Sequence, residues 1–526
     1  MALFNEQNNP YDEVPYNSHP FAQTHPDKLA SLARIFGLFP PPITECRVLE
    51  LGCASGGNLI PLAFNLPNST FIGVDLSRHQ VETGRETIKA IGLENIRIQH
   101  ASVLDIDEIV GVSSITSFAT AFLHGLRAKL QDKILAIAAN NLSPKGIAYI
   151  SYNTYPGWHI RGAIRHMMCY HVDQFDKPSE RTEQARALLD FLAAAVPAES
   201  SAYGQFLHNE LKLLRKCHDS YIYHEYLEAV NAPLYFHQFI ERAEHAGLQY
   251  LAEADFSTML TAQFDPAVAQ TLEQISPNII QLEQYMDFVR NRLFRQTLLC
   301  HKNLKLNRAL TPAVMESLLV ASEAKPVTAT IDLSSETSIT FRLSNGSQVE
   351  TAIPIVKAAL LILYEHWPCA MSVTSLCNNA LALISETAPA NAESCHRQLM
   401  QELFQLFVSN VIEVHSWQST CVLVVSERPK VHPLAAYQAE VSDWVVNMRH
   451  EHIPLDVFTK ALIPLLDGSL DHGQLLDSMV QKAQGSVIQI TINDEPVFEE
   501  SRLREVISEL IVKSLGKFAK AGLLVG

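Results

Sequence analysis

Apolar positions change their period along this chain, and the changes mark its elements. Leu29, Leu32, Ala33 and Phe36 recur at helical spacing, which predicts a helix over about Asp27–Phe36 that Asp27 can cap. Residues 1–27, rich in Asn, Pro, Tyr and His, predict an irregular arm before it. Short apolar runs then alternate with longer amphipathic stretches. RVLELG, TFIGVD, IRIQHA and GIAYISY predict strands, the last after the turn Ser143-Pro144-Lys145-Gly146. Helices are predicted at about 57–65 and 78–92. This alternation predicts an α/β unit built on a parallel, doubly wound sheet.

From about Arg161 to Lys305 the pattern is mostly helical, ending in a helix, a break at Gly247 and a short strand. From Thr311 onward, VTATIDL and SITFRLSNGSQVE predict a hairpin with Asn345-Gly346 at its turn. Two helices and the strands IEVHSW and CVLVVS follow, an order that suggests a winged-helix-like module. The polar stretch Arg428–Pro433 reads as a linker to a last α+β module. LFQLFVSNVIEV and LGKFAKAGLLVG both run helix, break, apolar strand, so the two small modules read as a tandem. The expected units are residues 1–160, 161–305, 306–427 and 428–526.

Length and charge narrow the function classes. The 526 residues are 47% apolar and 18% charged, enough for several packed cores. Forty Lys and Arg against 56 Asp and Glu leave a net charge of −16, with no long basic run. That balance argues against binding nucleic acid through its phosphates. No run approaches the roughly 20 apolar residues of a membrane span. The first residues lack a basic and an apolar signal region, so a cytoplasmic protein is expected. The nine cysteines are scattered without a CxxC, which predicts free thiols and neither a disulfide framework nor a metal site.

The densest chemical signal is VLELGCASGGNLIPLA. Its loop, Gly52-Cys53-Ala54-Ser55-Gly56-Gly57, joins a buried strand to a helix, so the backbone can turn tightly and approach a ligand. No Gly-Lys-Ser/Thr follows, which excludes a P-loop, and the spacing is not that of a dinucleotide fingerprint. Glu50 ends the first strand. Asp75 ends the second, followed by Leu76, and a carboxylate there can hold both hydroxyls of a ribose. Asp75 could instead cap the helix that begins near Ser77.

ELGCASGGN followed by GVDLS resembles class I S-adenosylmethionine-dependent methyltransferases, which implies a Rossmann-like catalytic domain and S-adenosyl-L-methionine as cofactor. The resemblance places Glu50, Gly52 and Gly56, with Cys53, Ala54 and Ser55 of the same loop, at the amino-acid end of the cofactor. It places Asp75 and Leu76 at the ribose, and Ser102 and Val103 at the adenine. The arm YDEVPYNSHPFAQTHPDKLASLARIFGL, SYNTYPGWHIRGAIR and HEYLEAVNAPLYFHQFIERAEHAGLQYLAEADF are similar to bacterial methyltransferases with a methyltransferase regulatory domain. The whole layout is similar to rickettsial protein lysine methyltransferases, which act on outer-membrane proteins. A protein substrate is then the expected partner and a homodimer the expected assembly. A small-molecule acceptor and a non-catalytic cofactor-binding scaffold or sensor are the competing readings.

Methyl transfer needs a positioned nucleophile, a proton acceptor and little competing water. Tyr16 and His25 on the arm, and Asn153, Tyr155 and Trp158 after the last sheet strand, are the catalytic candidates. Tyr and Trp can line a channel for an ammonium, and Tyr or His can accept a proton. The alternative is that these aromatics only seal the arm onto the domain.

One segment departs from the family. Where the family reads roughly F-D-Y-I-[VI]-[CA]-H-G-V-[FY]-S-W-V-P, this chain reads SITSFATAFLHGLR over Ser114–Arg127. Shifted by one base, the codons that can encode these residues permit that motif almost whole. We read Val112–Arg127 as a compensated frameshift.

Overall fold

The computed structural model describes all residues except 1–9, 16–17, 107–115, 123–127, 329–330, 334, 386–391, 421, 493–494 and 498. Most of Val112–Arg127, the segment read as a compensated frameshift, lies outside the described residues. Its centre forms a strand nonetheless.

Seven strands make the central sheet: β1 (Arg47–Leu51), β2 (Thr70–Asp75), β3 (Ile96–His100), β4 (Thr116–Phe122), β5 (Leu142–Asn153), β6 (Leu248–Glu253) and β7 (Phe294–His301). Their order is β3-β2-β1-β4-β5-β7-β6. The first five are parallel, and β7 runs antiparallel to both β5 and β6. Val48, Leu49 and Leu51 of β1 are all buried, as a strand covered on both faces requires. The order reverses at β1, between β2 and β4. A crevice at the carboxyl ends of the strands follows from that reversal.

The helices around the sheet are α1 (Pro26–Ile35), α2 (Leu59–Asn65), α3 (Arg78–Ile91) and α4 (Ala128–Asn141). Ser77 caps α3 by accepting from the Gln80 amide at 3.2 Å, and Gly92 ends it at φ +71°. The expected Asp27 cap of α1 is corrected. His25 fills that place, its Nδ1 accepting from the Asp27 amide at 3.0 Å. The Asp27 carboxylate accepts instead from the middle module: His415 Nδ1 at 2.6 Å, the Ser416 amide at 2.6 Å and the Trp417 amide at 2.9 Å.

Residues 161–305 divide in two. Helices α5 (Gly157–Val172), α6 (Pro178–Ala195) and α7 (Ala202–Leu214), with a π-helical turn at Tyr223–Leu227, share a small core of their own. The rest, α8 (Phe236–His245), α9 (Pro266–Ile275) and α10 (Ile279–Arg290), returns to the sheet with β6 and β7. This part is therefore not the separate helical region expected. Arg295 of β7 explains the return: fully buried, it bonds Glu253 of β6 at 2.7 Å, and Glu283 and Asp287 of α10 at 2.9 and 2.8 Å. An arginine is buried so deeply only where such carboxylates meet it.

The middle module contains β8 (Leu319–Ala321), β9 (Lys325–Pro326), β10 (Ile339–Arg342), β11 (Gln348–Thr351), helix α11 (Pro354–His366), β12 (Met371–Ser372), α12 (Val373–Ser385), α13 (Ala392–Val408) and β13 (Glu413–His415). The hairpin at Asn345-Gly346 joins β10 to β11, so VTATIDL is not its first arm; Lys325 and Pro326 pair with β10 instead. One apolar core runs from the sheet into this module, joining Leu29 and Leu32 to Leu318, Leu399 and Phe404.

The last module has α14 (Pro433–Val441), β14 (Trp444–Val446), β15 (His452–Pro454), α15 (Val457–Leu462), α16 (His472–Gln484), the short β16 (Thr491–Ile492) and β17 (Glu495–Pro496), and α17 (Glu500–Lys520), around a core of its own. CVLVVS, expected as a strand, gives Val422 and Val425 to that core, and its described residues carry no strand. Among the described residues no helix is long and apolar enough to cross a membrane.

Candidate active site

A cavity of about 540 Å³ opens at the carboxyl ends of β1, β2, β3 and β5. Its walls include Glu50, Gly52, Cys53 and Ala54 from β1 and its loop, Asp75 and Leu76 after β2, and Ser102 and Val103 after β3. Of the residues expected around the cofactor, only Ser55 and Gly56 lie outside its walls. Gly56, at φ +78°, faces the sheet; a Cβ there would stand 2.7 Å from Ile98 Cδ1. It shapes the loop from behind. Arm residues Ser18, His19 and Phe21 close one side. A Cβ on Gly57 would collide with the Ser18 carbonyl, so only glycine lets the arm cross here.

Asp75 has two duties visible in its bonds. One oxygen accepts from the Ala54 amide at 2.7 Å and the other from the Ser77 amide at 2.8 Å. Burial raises its carboxyl above the ordinary range, against the pull of those amides. Both bonds tie the β1 loop to the β2 end and leave further lone pairs toward the cavity.

Glu50 is buried, with Oε1 accepting from Asn58 Nδ2 at 2.8 Å and Oε2 without a partner. Burial pushes its carboxyl up to about 7; the Asn58 bond opposes that, and the charge of Asp75 adds to it. The Asn58 amide is itself held in place. Its Oδ1 accepts from the Phe21 amide at 2.9 Å and from His450 Nε2 at 2.8 Å, so a buried histidine of the last module reaches the site. S-adenosylmethionine fits these residues. It carries a sulfonium and an ammonium, and the unpartnered Glu50 oxygen is a buried acceptor on the wall where a cation would relieve its burial.

Residues 44–199 match the family described as a methyltransferase domain. Residues 218–301 match the predicted methyltransferase regulatory domain, and 427–523 the PKMT C-terminal winged helix domain. An uncharacterized protein of Rickettsia prowazekii is 34% identical over 98% of this chain and 94% of its own length. A second from that organism is 40% identical over 44% of this chain and 93% of its own. The solved structure of PKMT2 from Rickettsia typhi in complex with AdoHcy superposes with a TM-score of 0.89, at 30% identity, over 97% of this chain and 100% of that one. This chain belongs to the PKMT family. It is an S-adenosylmethionine-dependent methyltransferase, with the Rossmann-like domain, the regulatory domain and the C-terminal winged helix of that family.

In this PKMT relative the catalytic candidates separate. Asn153, at the end of β5, and Trp158, in α5, line the cavity. Tyr16 lies outside the described residues. His25 is not in the cavity wall; it is spent on the α1 cap, lies 5.7 Å from the His450 ring, and burial holds its imidazole down to about 4. Tyr155 is also absent from the wall, because its ring stacks on His159 at 3.9 Å and packs against Tyr235 at 5.2 Å. The sequence reading missed Arg161, Tyr221, His224 and Glu225, which also line the cavity. The phrase HEYLEAVNAPLY held two of them, but nothing local in it says that a π turn aims them inward.

Proposed function

We propose that the cavity holds S-adenosylmethionine between Glu50 and Asp75 and delivers its methyl group to a lysine side chain of a protein. The observation that carries the cofactor end is the buried Glu50 oxygen without a partner, on the wall of a cavity that Asp75 also lines. In this reading Glu50 and Gly52 meet the amino-acid end, Asp75 the ribose hydroxyls, and Ser102 and Val103 the adenine. The PKMT likeness along the whole chain supports the lysine acceptor, as does the reach of the cavity beyond the glycine loop to Asn153 and Trp158.

When bound, the cofactor supplies a methyl carbon on a sulfonium. The residues around it position and desolvate. The arm, tied down where the Ser18 hydroxyl accepts from the Gly57 amide at 2.7 Å, keeps water from the loop. Apolar walls favour the neutral amine that must attack. Incubation of the purified chain with methyl-labelled cofactor and an outer-membrane protein preparation tests this. Label on lysine Nε, located by mass spectrometry, is expected; label only in a small-molecule fraction would overturn the protein acceptor.

A further inference from the structure

We infer that His450, reaching in from the last module, is a positioning residue for the amino-acid end of the cofactor: it locks the Asn58 side chain in the orientation that turns an N–H toward Glu50. The inference rests on the cofactor reading above and adds a residue of the last module to it. Asn58 lines the cavity, and its whole amide is in use. Its Nδ2 donates to Glu50 Oε1 at 2.8 Å and to Thr24 Oγ1 at 3.1 Å. Its Oδ1 accepts from the Phe21 amide at 2.9 Å and from His450 Nε2 at 2.8 Å. A backbone amide can only donate, so the Asn58 oxygen must face Phe21 and His450, and His450 must carry its proton on Nε2. With that N–H in place, turning the Asn58 amide over would set two donors against its NH2 and strip Glu50 of its own donor.

His450 bears costs that docking does not explain. It is fully buried, yet its Nδ1 has no partner among the described residues. It sits in the turn between β14 and β15 at φ +62°, a left-handed conformation that few residues other than glycine adopt. Burial, with His25 beside it, holds its imidazole well below the ordinary value. The ring therefore stays neutral and keeps the single N–H that Asn58 needs. Arg449, its neighbour in the chain, already ties the last module to Glu413 of the middle module at 2.8 Å. What His450 adds is a bond into the cofactor wall. The amino-acid end of the site is thus incomplete without the last module.

Two ligands separate positioning from folding. S-adenosylmethionine carries the amino-acid end; 5′-methylthioadenosine carries the same adenine and ribose without it. In calorimetric titrations of the full chain, His450→Leu should weaken S-adenosylmethionine about fivefold, the net worth of one hydrogen bond, and leave the Kd of 5′-methylthioadenosine within about twofold. His450→Gln, whose amide can place an N–H where Nε2 stood, should restore most of the loss. His450→Asn suits the left-handed turn but falls short of Asn58; it should behave like the Leu variant and stands in if that variant fails to fold. Equal weakening of both ligands, unchanged S-adenosylmethionine affinity in the Leu and Asn variants, or no rescue by Gln would overturn the inference alone. Failure of S-adenosylmethionine to bind the wild-type chain would overturn the cofactor reading and this inference with it.

Discussion

At pH 7 about half of the Glu50 carboxyls carry a proton, because burial lifts this group from 4.5 to about 7. A ligand that brings a cation to the open oxygen binds the ionised form. Its apparent Kd then rises by a factor of 1 + 10^(7 − pH), about 2 at pH 7 and about 30 at pH 5.5. Cofactor affinity should therefore fall about fifteenfold between those two pH values. The same shift has a cost in the free protein. A carboxyl moved from 4.5 to about 7 by burial corresponds to about 3 kcal/mol. The sign follows from the raised value: no penalty below 4.5, and a full penalty above 7. Glu50→Gln should therefore stabilise the cofactor-free chain by up to about 3 kcal/mol at pH 8, and by little at pH 4.5. It should also flatten the pH dependence of cofactor binding, since Asp75 stays in place. Calorimetric titrations at pH 5.5 and 7, and denaturant melts at pH 4.5 and 8, read both effects. An affinity that does not change between pH 5.5 and 7 in the wild-type chain, or the same slope in Glu50→Gln, would refute the reasoning.

Other consequences reach further from the site. Arg295→Met leaves Glu253, Glu283 and Asp287 buried around an apolar side chain; denaturant unfolding should show a loss of about 3–5 kcal/mol, and a loss under 1 would contradict the account of how β7 is held. The Asp27–His415 contact joins α1 to the middle module at 2.6 Å, with Asp27 held below and His415 above their ordinary values. Its contribution is complete between the carboxylate range and about pH 6.5, and is lost as pH rises through the raised His415 value. Asp27→Asn should therefore cost more stability at pH 6 than at pH 9, a difference thermal melts at the two pH values resolve. Sequencing the codons of Val112–Arg127 should reveal the family motif one base out of frame; codons that cannot yield it would refute the frameshift.

Strands and cofactor loop were legible in the sequence because their signals are local. TFIGVD is a strand over Thr70–Asp75, and Glu50 and Asp75 stand at strand ends that a run of buried residues fixes. What escaped depends on contacts between distant segments. His450 meets Asn58 across 392 residues, and Asp27 meets His415 across 388, so neither periodicity nor a motif could pair them. Likewise β6 and β7 read as the tail of a helical region until Arg295 joins them to α10. Tyr155 shows the opposite failure. Its place after a sheet strand was read correctly, yet one turn of backbone decides whether such a ring faces the cavity or stacks on His159. Glu225 needed a π turn, which no spacing of apolar residues announces.

If the cavity between Glu50 and Asp75 is the cofactor site, removing the Asp75 carboxylate must weaken cofactor binding. Calorimetric titration of the purified chain with S-adenosylmethionine, beside Asp75→Ala, tests it most directly. Two hydrogen bonds from ribose hydroxyls to a carboxylate are worth about 3 kcal/mol together, so the variant should bind about a hundredfold more weakly or not at all. Equal affinity in both proteins, or no binding in the wild-type chain, would contradict the account.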